Sequence, residues 1–450
     1  MKFWQKFKRP IILLVKLKKS IKLFFSDKFI AGSSILTVAT ISSGAFGYAY
    51  QIMLGSLMSS ANFAIFSAIL SLYVFFASPF NVIYMLISRN VATQLDKDKS
   101  FLYQYFEQSL FLVALILLIP VTILLYFQEL FNRFLGVTEW YIVPLVLIFA
   151  WLVALQTVCN AFIQGMQMYK LMALVMIFTV VTKVAASALL LGYLDSDILN
   201  GLLGLGISII LMLFFSIKRL ARIFCATEKL YFKNINQLLS IQIKQIISFF
   251  KNATPILIVS ISFVGMTQLD MFFVNHYMSS INASNYAVAS VFGKVILYLP
   301  GGLALALYPM VANNHSNHKS SILIIKKALI LTFASSIILC IIYYYFGEFI
   351  ISFFYAEKYS FAYLILRWYA MAMVPMALIL VMENFLIAKG EFVFSWVFLI
   401  IFPLQIIALN LVNDSPWEII TIVGSSGLMV LMIGSLFIIY KYKLLKVWNE

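Results

Sequence analysis

The sequence predicts an all-α integral membrane protein of twelve transmembrane helices, arranged as two parallel six-helix lobes around a central cavity. Three observations carry that expectation. Of 450 residues, 63% are hydrophobic and only 11% are charged, a balance typical of integral membrane proteins. Apolar runs of about 18 residues or more recur along the whole chain, each long enough to cross a hydrocarbon core of about 30 Å. The chain also repeats itself half a length apart: "MSSANFAIFSAIL" at 58–70 returns as "MSSINASNYAVAS" at 278–290.

In chain order, the first element is a basic, amphipathic stretch over 1–29. Trp4, Phe7, Ile11, Leu14 and Ile21 stand at helical spacing among nine Lys and Arg, which suits either a helix lying on an anionic inner leaflet or a basic topogenic tail. No cleavable signal peptide is evident, because "IILLV" is too short for an apolar signal core. Six spans follow at 30–54, 62–88, 102–127, 140–165, 168–192 and 200–217, forming an N-lobe over 30–217. Residues 218–251 contain "KRLARIF" and "LLSIQIKQIISFFK", both basic and amphipathic, and read as a linker helix on the cytoplasmic surface. Six more spans at 252–277, 284–311, 322–346, 361–387, 392–412 and 418–440 make a C-lobe over 252–440, and 441–450 is a short tail.

The net charge of +15 would suit a nucleic-acid binder, but its distribution assigns it to topology instead. The two termini and the alternate loops between them hold 27 of the 32 Lys and Arg, while the opposite loops hold only Arg133 and Lys358. The basic side is therefore expected in the cytoplasm, with both termini there. Cys159, Cys225 and Cys340 have no metal-site spacing and make no even disulfide set. His315 and His318 lie in an Asn- and Ser-rich loop and read as solvated side chains. Neither a metal nor a cofactor is called for.

The repeat holds its offset of 220 residues beyond the opening stretch. Val91 and Ala92 fall on Val311 and Ala312, and "YFQELFNRF" at 126–134 falls on "FGEFIISFF" at 346–354. Further on the register slips, and Asn160 and Gly165 correspond to Asn384 and Gly390. Six spans per half is an even number, so both halves enter the membrane from the same side and the repeat is parallel.

Charges inside spans are costly to insert, which makes each a functional candidate. Lys183 and Lys294 lie about 15 Å deep or more by helix rise, with no carboxylate expected at their level. They need a wet cavity or an anionic ligand, and with Arg367 they are the candidate cavity cations. Asp270 and Arg367 lie level with each other and are expected to form a charge pair tying the seventh and tenth spans. Glu383 lies near the cytoplasmic end of its span, within snorkelling reach of water. Polar stripes in "TISSGAFGYAYQ" and at Gln156, Asn160 and Gln164 suit either a cavity wall or helix packing, and Tyr286, the counterpart of Phe66, joins the cavity candidates.

The helix starts "NFAIFSA" and "ASNYAVAS", the span ends near "NVATQ" and "YPMVANN", and "FIQG" closing the fourth span together resemble the O-antigen and capsular-polysaccharide flippases. That family belongs to the multidrug, oligosaccharidyl-lipid and polysaccharide exporter superfamily. The resemblance implies lobes that rock between inward-open and outward-open states, and a cargo of oligosaccharide on a polyprenyl pyrophosphate. It further implies a cytoplasmic-membrane location, with membrane lipids and the polymerase and assembly proteins of a surface polysaccharide as partners. Multidrug members of the superfamily carry cation-coupling carboxylates on the seventh and tenth spans, the spans of Asp270 and Glu383. Two alternatives remain open, a cation-coupled multidrug exporter of the same fold and a membrane polysaccharide polymerase. A soluble-type enzyme is disfavoured, since the chain has no GxxxxGK or HExxH motif.

Overall fold

The computed structural model describes residues 28–94, 99–194, 197–225, 235–298 and 318–442. The basic start, most of the tail, and the expected features at 226–234 and 299–317, His315 among them, lie outside the described residues. The N-lobe comprises α1 (Lys28–Leu57), α2 (Ser60–Ala77), α3 (Phe80–Thr93), α4 (Lys99–Tyr126), α5 (Gln128–Leu135), α6 (Ile142–Gly165), α7 (Tyr169–Tyr193) and α8 (Ile198–Cys225). The C-lobe comprises α9 (Ile235–Tyr277), α10 (Ser280–Gly293), α11 (Val295–Tyr298), α12 (His318–Tyr355), α13 (Ala362–Ala388), α14 (Ser395–Leu411) and α15 (Pro416–Tyr442). Ten stretches among the described residues are long and apolar enough to span a bilayer, and α1 with the α10–α11 segment makes up the twelve.

Two spans are broken, each for a local reason. The second divides at Ser78–Pro79, where proline offers no N–H to the ladder and the Ser78 hydroxyl donates to the Phe75 carbonyl at 2.8 Å. The eighth divides at Lys294, between α10 and α11. The amphipathic part of the expected linker is no separate element. It runs unbroken into the seventh span as the 43-residue α9, which tolerates Pro255 inside it.

The repeat is visible in backbone geometry. Ser59 caps α2 with φ −60° and ψ 155°, its hydroxyl accepting the Asn62 N–H at 3.2 Å. Ser279 caps α10 with φ −62° and ψ 153°, accepting the Asn282 N–H at 3.4 Å. A serine hydroxyl satisfies one of the donors that a helix start leaves free, so the repeated Met-Ser-Ser-X-X motif codes the same re-entry into the membrane twice. These caps mark what we call the far face. The near face is where α1 begins and α15 ends.

Within the N-lobe α1 lies on α7, α7 on α8, and α6 packs among α3, α4 and α8; within the C-lobe α13 packs on α10, α12 and α15, and α9 on α14. The lobes meet chiefly where α2 lies against α9 and α10. One apolar core passes through that seam, joining Leu54, Phe63 and Phe66 to Tyr286, Tyr359 and Tyr369. A second cluster, around Phe80, Phe106, Phe162 and Phe224, belongs to the N-lobe alone. Ile119, Phe214, Tyr345 and Ile400 are exposed, and in a spanning helix such side chains face lipid.

Candidate functional site

Asp270 stands seven residues before the far end of α9 and is fully buried. Its Oδ2 accepts the hydroxyls of Tyr369 at 2.7 Å and Tyr286 at 3.0 Å. The two rings meet edge to face, 5.3 Å between centroids. Gly293 makes room for this arrangement, since a Cβ there would stand 2.4 Å from Cδ1 of Tyr369. Lys294, the next residue, places Nζ 3.7 Å from Asp270 Oδ1 and donates to Gln268 Oε1 at 2.9 Å. The Oδ1 atom accepts no hydrogen bond, because 3.7 Å exceeds hydrogen-bonding range. It is held by charge alone.

The expected Asp270–Arg367 pair is therefore replaced by an Asp270–Lys294 pair. Residues two apart on a helix point in nearly opposite directions, so once Tyr369 turns toward Asp270, Arg367 must turn away. Its guanidinium instead stacks over Tyr344 and Tyr363, at 4.9 and 5.1 Å, and is not on the wall of the central cavity. Lys294 was expected to lack a carboxylate at its depth. Side chains lean toward the N-terminus of their own helix. Because α9 and α10 run in opposite directions, the leans of Asp270 and Lys294 converge and close an axial gap of about 10 Å.

A cavity of about 60 Å³ lies at the lobe seam, walled by Tyr48 and Gln51 of α1, Phe66 and Ser71 of α2, Gln268, Ser290 and Lys294, together with apolar neighbours. Lys294 is the only charged residue on that wall among the described residues. Lys183 sits in the N-lobe with its nitrogen 4.3 Å above the Tyr50 ring. An offset of 220 sets Tyr50 opposite Asp270, so a tyrosine ring faces the N-lobe cation where a carboxylate faces the C-lobe one. Lys183 and Tyr50 are not on the cavity wall. Glu383 is buried in α13, and its Oε2 has no hydrogen-bond partner among the described residues. Gln156 donates to Asn160 Oδ1 and Ser216 Oγ, both at 3.0 Å, so this part of the polar stripe ties α6 to α8. Gln164 is half-buried and, like Gln156 and Asn160, is absent from the cavity wall.

Gln268 and Tyr369 are the members of the cluster that sequence reasoning missed. Tyr369 carried a usable signal, as a phenol on the tenth span about half a helical turn from Arg367 and so near the expected depth of contact with Asp270.

Residues 255–412 match the MatE family model, and no curated protein matches the chain. Among solved structures, an inward-facing multidrug resistance MATE family transporter of the MOP superfamily aligns with a TM-score of 0.70 at 13% identity, covering 90% of this chain and 95% of that one. The chain has the MATE transporter fold. The lipid II flippase MurJ, in an inward closed conformation, shares this fold, with a TM-score of 0.69 at 18% identity over 90% of this chain and 87% of its own. The eukaryotic MATE transporter AtDTX14 gives 0.61 at 15% identity, over 93% and 98%. Solved structures of this fold thus include drug transporters and a flippase.

Proposed function

We propose that this multi-pass membrane protein is a transporter, not an enzyme, that turns a polyprenyl-pyrophosphate-linked oligosaccharide from the cytoplasmic to the outer leaflet by alternating access. The near face would lie in the cytoplasm, as the distribution of Lys and Arg implies, and the product would feed O-antigen, capsule or another surface polysaccharide. One observation carries this reading: among the described residues the seam cavity presents an ammonium, Lys294, and no carboxylate. A pyrophosphate cannot cross hydrocarbon unaided. A lysine binds phosphate as a compact point charge that can let go again, while the prenyl chain stays in lipid and the sugar stays hydrated. Lys183 would be a second cation, reached when the lobes move.

A cation-coupled multidrug exporter is the second reading. The under-bonded Oδ1 of Asp270, 3.7 Å from the ammonium of the cavity-lining Lys294, favours it as a cation-coupling carboxylate, with Glu383 as another. The two readings separate in proteoliposomes. A fluorescent polyprenyl-pyrophosphate saccharide should become accessible to an impermeant quencher on the other leaflet, and Lys294→Gln should abolish that movement. Efflux of a cationic dye with the saccharide lipid unmoved would decide for the exporter.

A further inference from the structure

Lys358 is one of only two basic residues in the loops opposite the basic side, and nothing in the cavity chemistry uses it. It lies in the turn between α12 and α13, in the C-lobe. Its ammonium crosses to the N-lobe and donates to the carbonyl oxygens of Gly55 at 2.8 Å, Ser56 at 3.1 Å and Met58. Those carbonyls close α1, where a helix has no further N–H groups to offer and where its dipole is negative. The neighbouring Tyr359 donates its hydroxyl to the Gly55 oxygen at 2.8 Å. Gly55 lets the lobes come this close, because a Cβ there would meet Tyr355 Cε1 at 2.8 Å.

A second strap lies on the same face. Asn275 of α9 donates to the Leu135 carbonyl of α5 at 2.8 Å. His276 Nδ1 lies 2.9 Å from the Phe134 carbonyl, and its ring stacks on Phe134 at 3.8 Å. Every one of these contacts joins one lobe to the other, and every one sits above the seam cavity on the far side.

We propose that Lys358 is the far-face gate: a latch that grips the end of α1 while the cavity is shut on that side, and releases it when the lobes part. The chemistry is specific to lysine. Three converging carbonyls match the three donors of an ammonium, whereas the flat fork of a guanidinium cannot address all three at once. The gate is indifferent to what the cavity carries, so it stands whether the cargo is a saccharide lipid or a drug.

The test places a single cysteine on the cavity wall, Ser67→Cys, in a chain whose Cys159, Cys225 and Cys340 are replaced. An impermeant thiol reagent is applied to intact cells and, separately, to inverted vesicles, so that each face is addressed alone. Lys358→Gln should raise the labelling rate from the far face about tenfold, equivalent to some 1.4 kcal/mol of lost closure. Lys358→Arg should give a smaller rise. Spin labels at Thr138→Cys and Ile281→Cys on the purified protein should show an added longer-distance population in Lys358→Gln. Unchanged labelling together with an unchanged distance would overturn the gate. If Lys358→Gln does not accumulate, Tyr359→Phe and Lys358→Arg replace it, and no increase in either variant overturns the proposal equally.

Discussion

Replacing Lys294 by methionine removes the ammonium and keeps most of the stem volume. Asp270 is then left fully buried with two tyrosine hydroxyls on Oδ2 and nothing opposite Oδ1. At an effective dielectric near 20, opposite charges about 4 Å apart attract by about 4 kcal/mol, and breaking a buried pair by deleting one partner costs about 3 to 5 kcal/mol. Solvent at the cavity edge reduces the loss, because Lys294 keeps a tenth of its side chain accessible. We therefore expect Lys294→Met to cost about 3 kcal/mol in equilibrium unfolding from mixed micelles. Asp270→Asn, which strands the ammonium beside a neutral amide that Gln268 and water can help solvate, should cost less, about 2 kcal/mol. The double variant should cost well under the sum, leaving a coupling of about 1 to 3 kcal/mol. The same cycle run with Arg367→Met in place of Lys294→Met should be additive. Additivity for Lys294 and coupling for Arg367 would refute the pairing.

Tyr369→Phe removes a 2.7 Å hydrogen bond to a buried carboxylate and should cost about 1.5 to 3 kcal/mol in the same assay. Gly293→Ala should displace the Tyr369 ring and cost about 1 to 3 kcal/mol, and Tyr369→Leu in that background should recover part of it. Ser59→Ala and Ser279→Ala each remove a helix cap and should cost about 1 kcal/mol, with a near-additive double variant because the caps lie on separate helices. A cysteine at Asp414, in the exposed turn before α15, should label from outside intact cells if the near face is cytoplasmic; labelling only in inverted vesicles would reverse the orientation.

Much of the scaffold was legible because the bilayer leaves few choices. Apolar length alone placed the spans, and the duplicated Met-Ser-Ser motif announced the two caps that Ser59 and Ser279 form. The cluster around Asp270 was legible only in part. Counting depth by α-carbon put Asp270 level with the tenth span, and it does meet α13, but through Tyr369 and not Arg367. Nothing in the spacing says which face of α13 turns inward. The Lys294 contact was hidden because long side chains lean, and Gln268 because residues two apart are not expected to share a partner. The expected linker differs in one respect, its continuity with the seventh span. Its amphipathic pattern marks a surface, but no glycine or proline stops the helix before the span, so α9 carries on. The Lys358 contacts join residues 300 or more apart in sequence and depend on how the two lobes come together, which no local pattern records.

The lobes are alike in shape and unlike in charge. In the C-lobe the cation Lys294 stands beside the anion Asp270, and the pair moves as a dipole with no net charge. In the N-lobe Lys183 has an aromatic ring for company, since Tyr50 stands where Asp270 does. A protonated Lys183 carries a whole charge through whatever part of the membrane field its lobe traverses, worth about 2.3 kcal/mol for a full crossing at 100 mV. Moving the Asp270–Lys294 pair would then be nearly silent to voltage, and moving Lys183 would not. A resting potential would act on these two sites asymmetrically, pulling on the N-lobe cation and leaving the C-lobe pair nearly untouched.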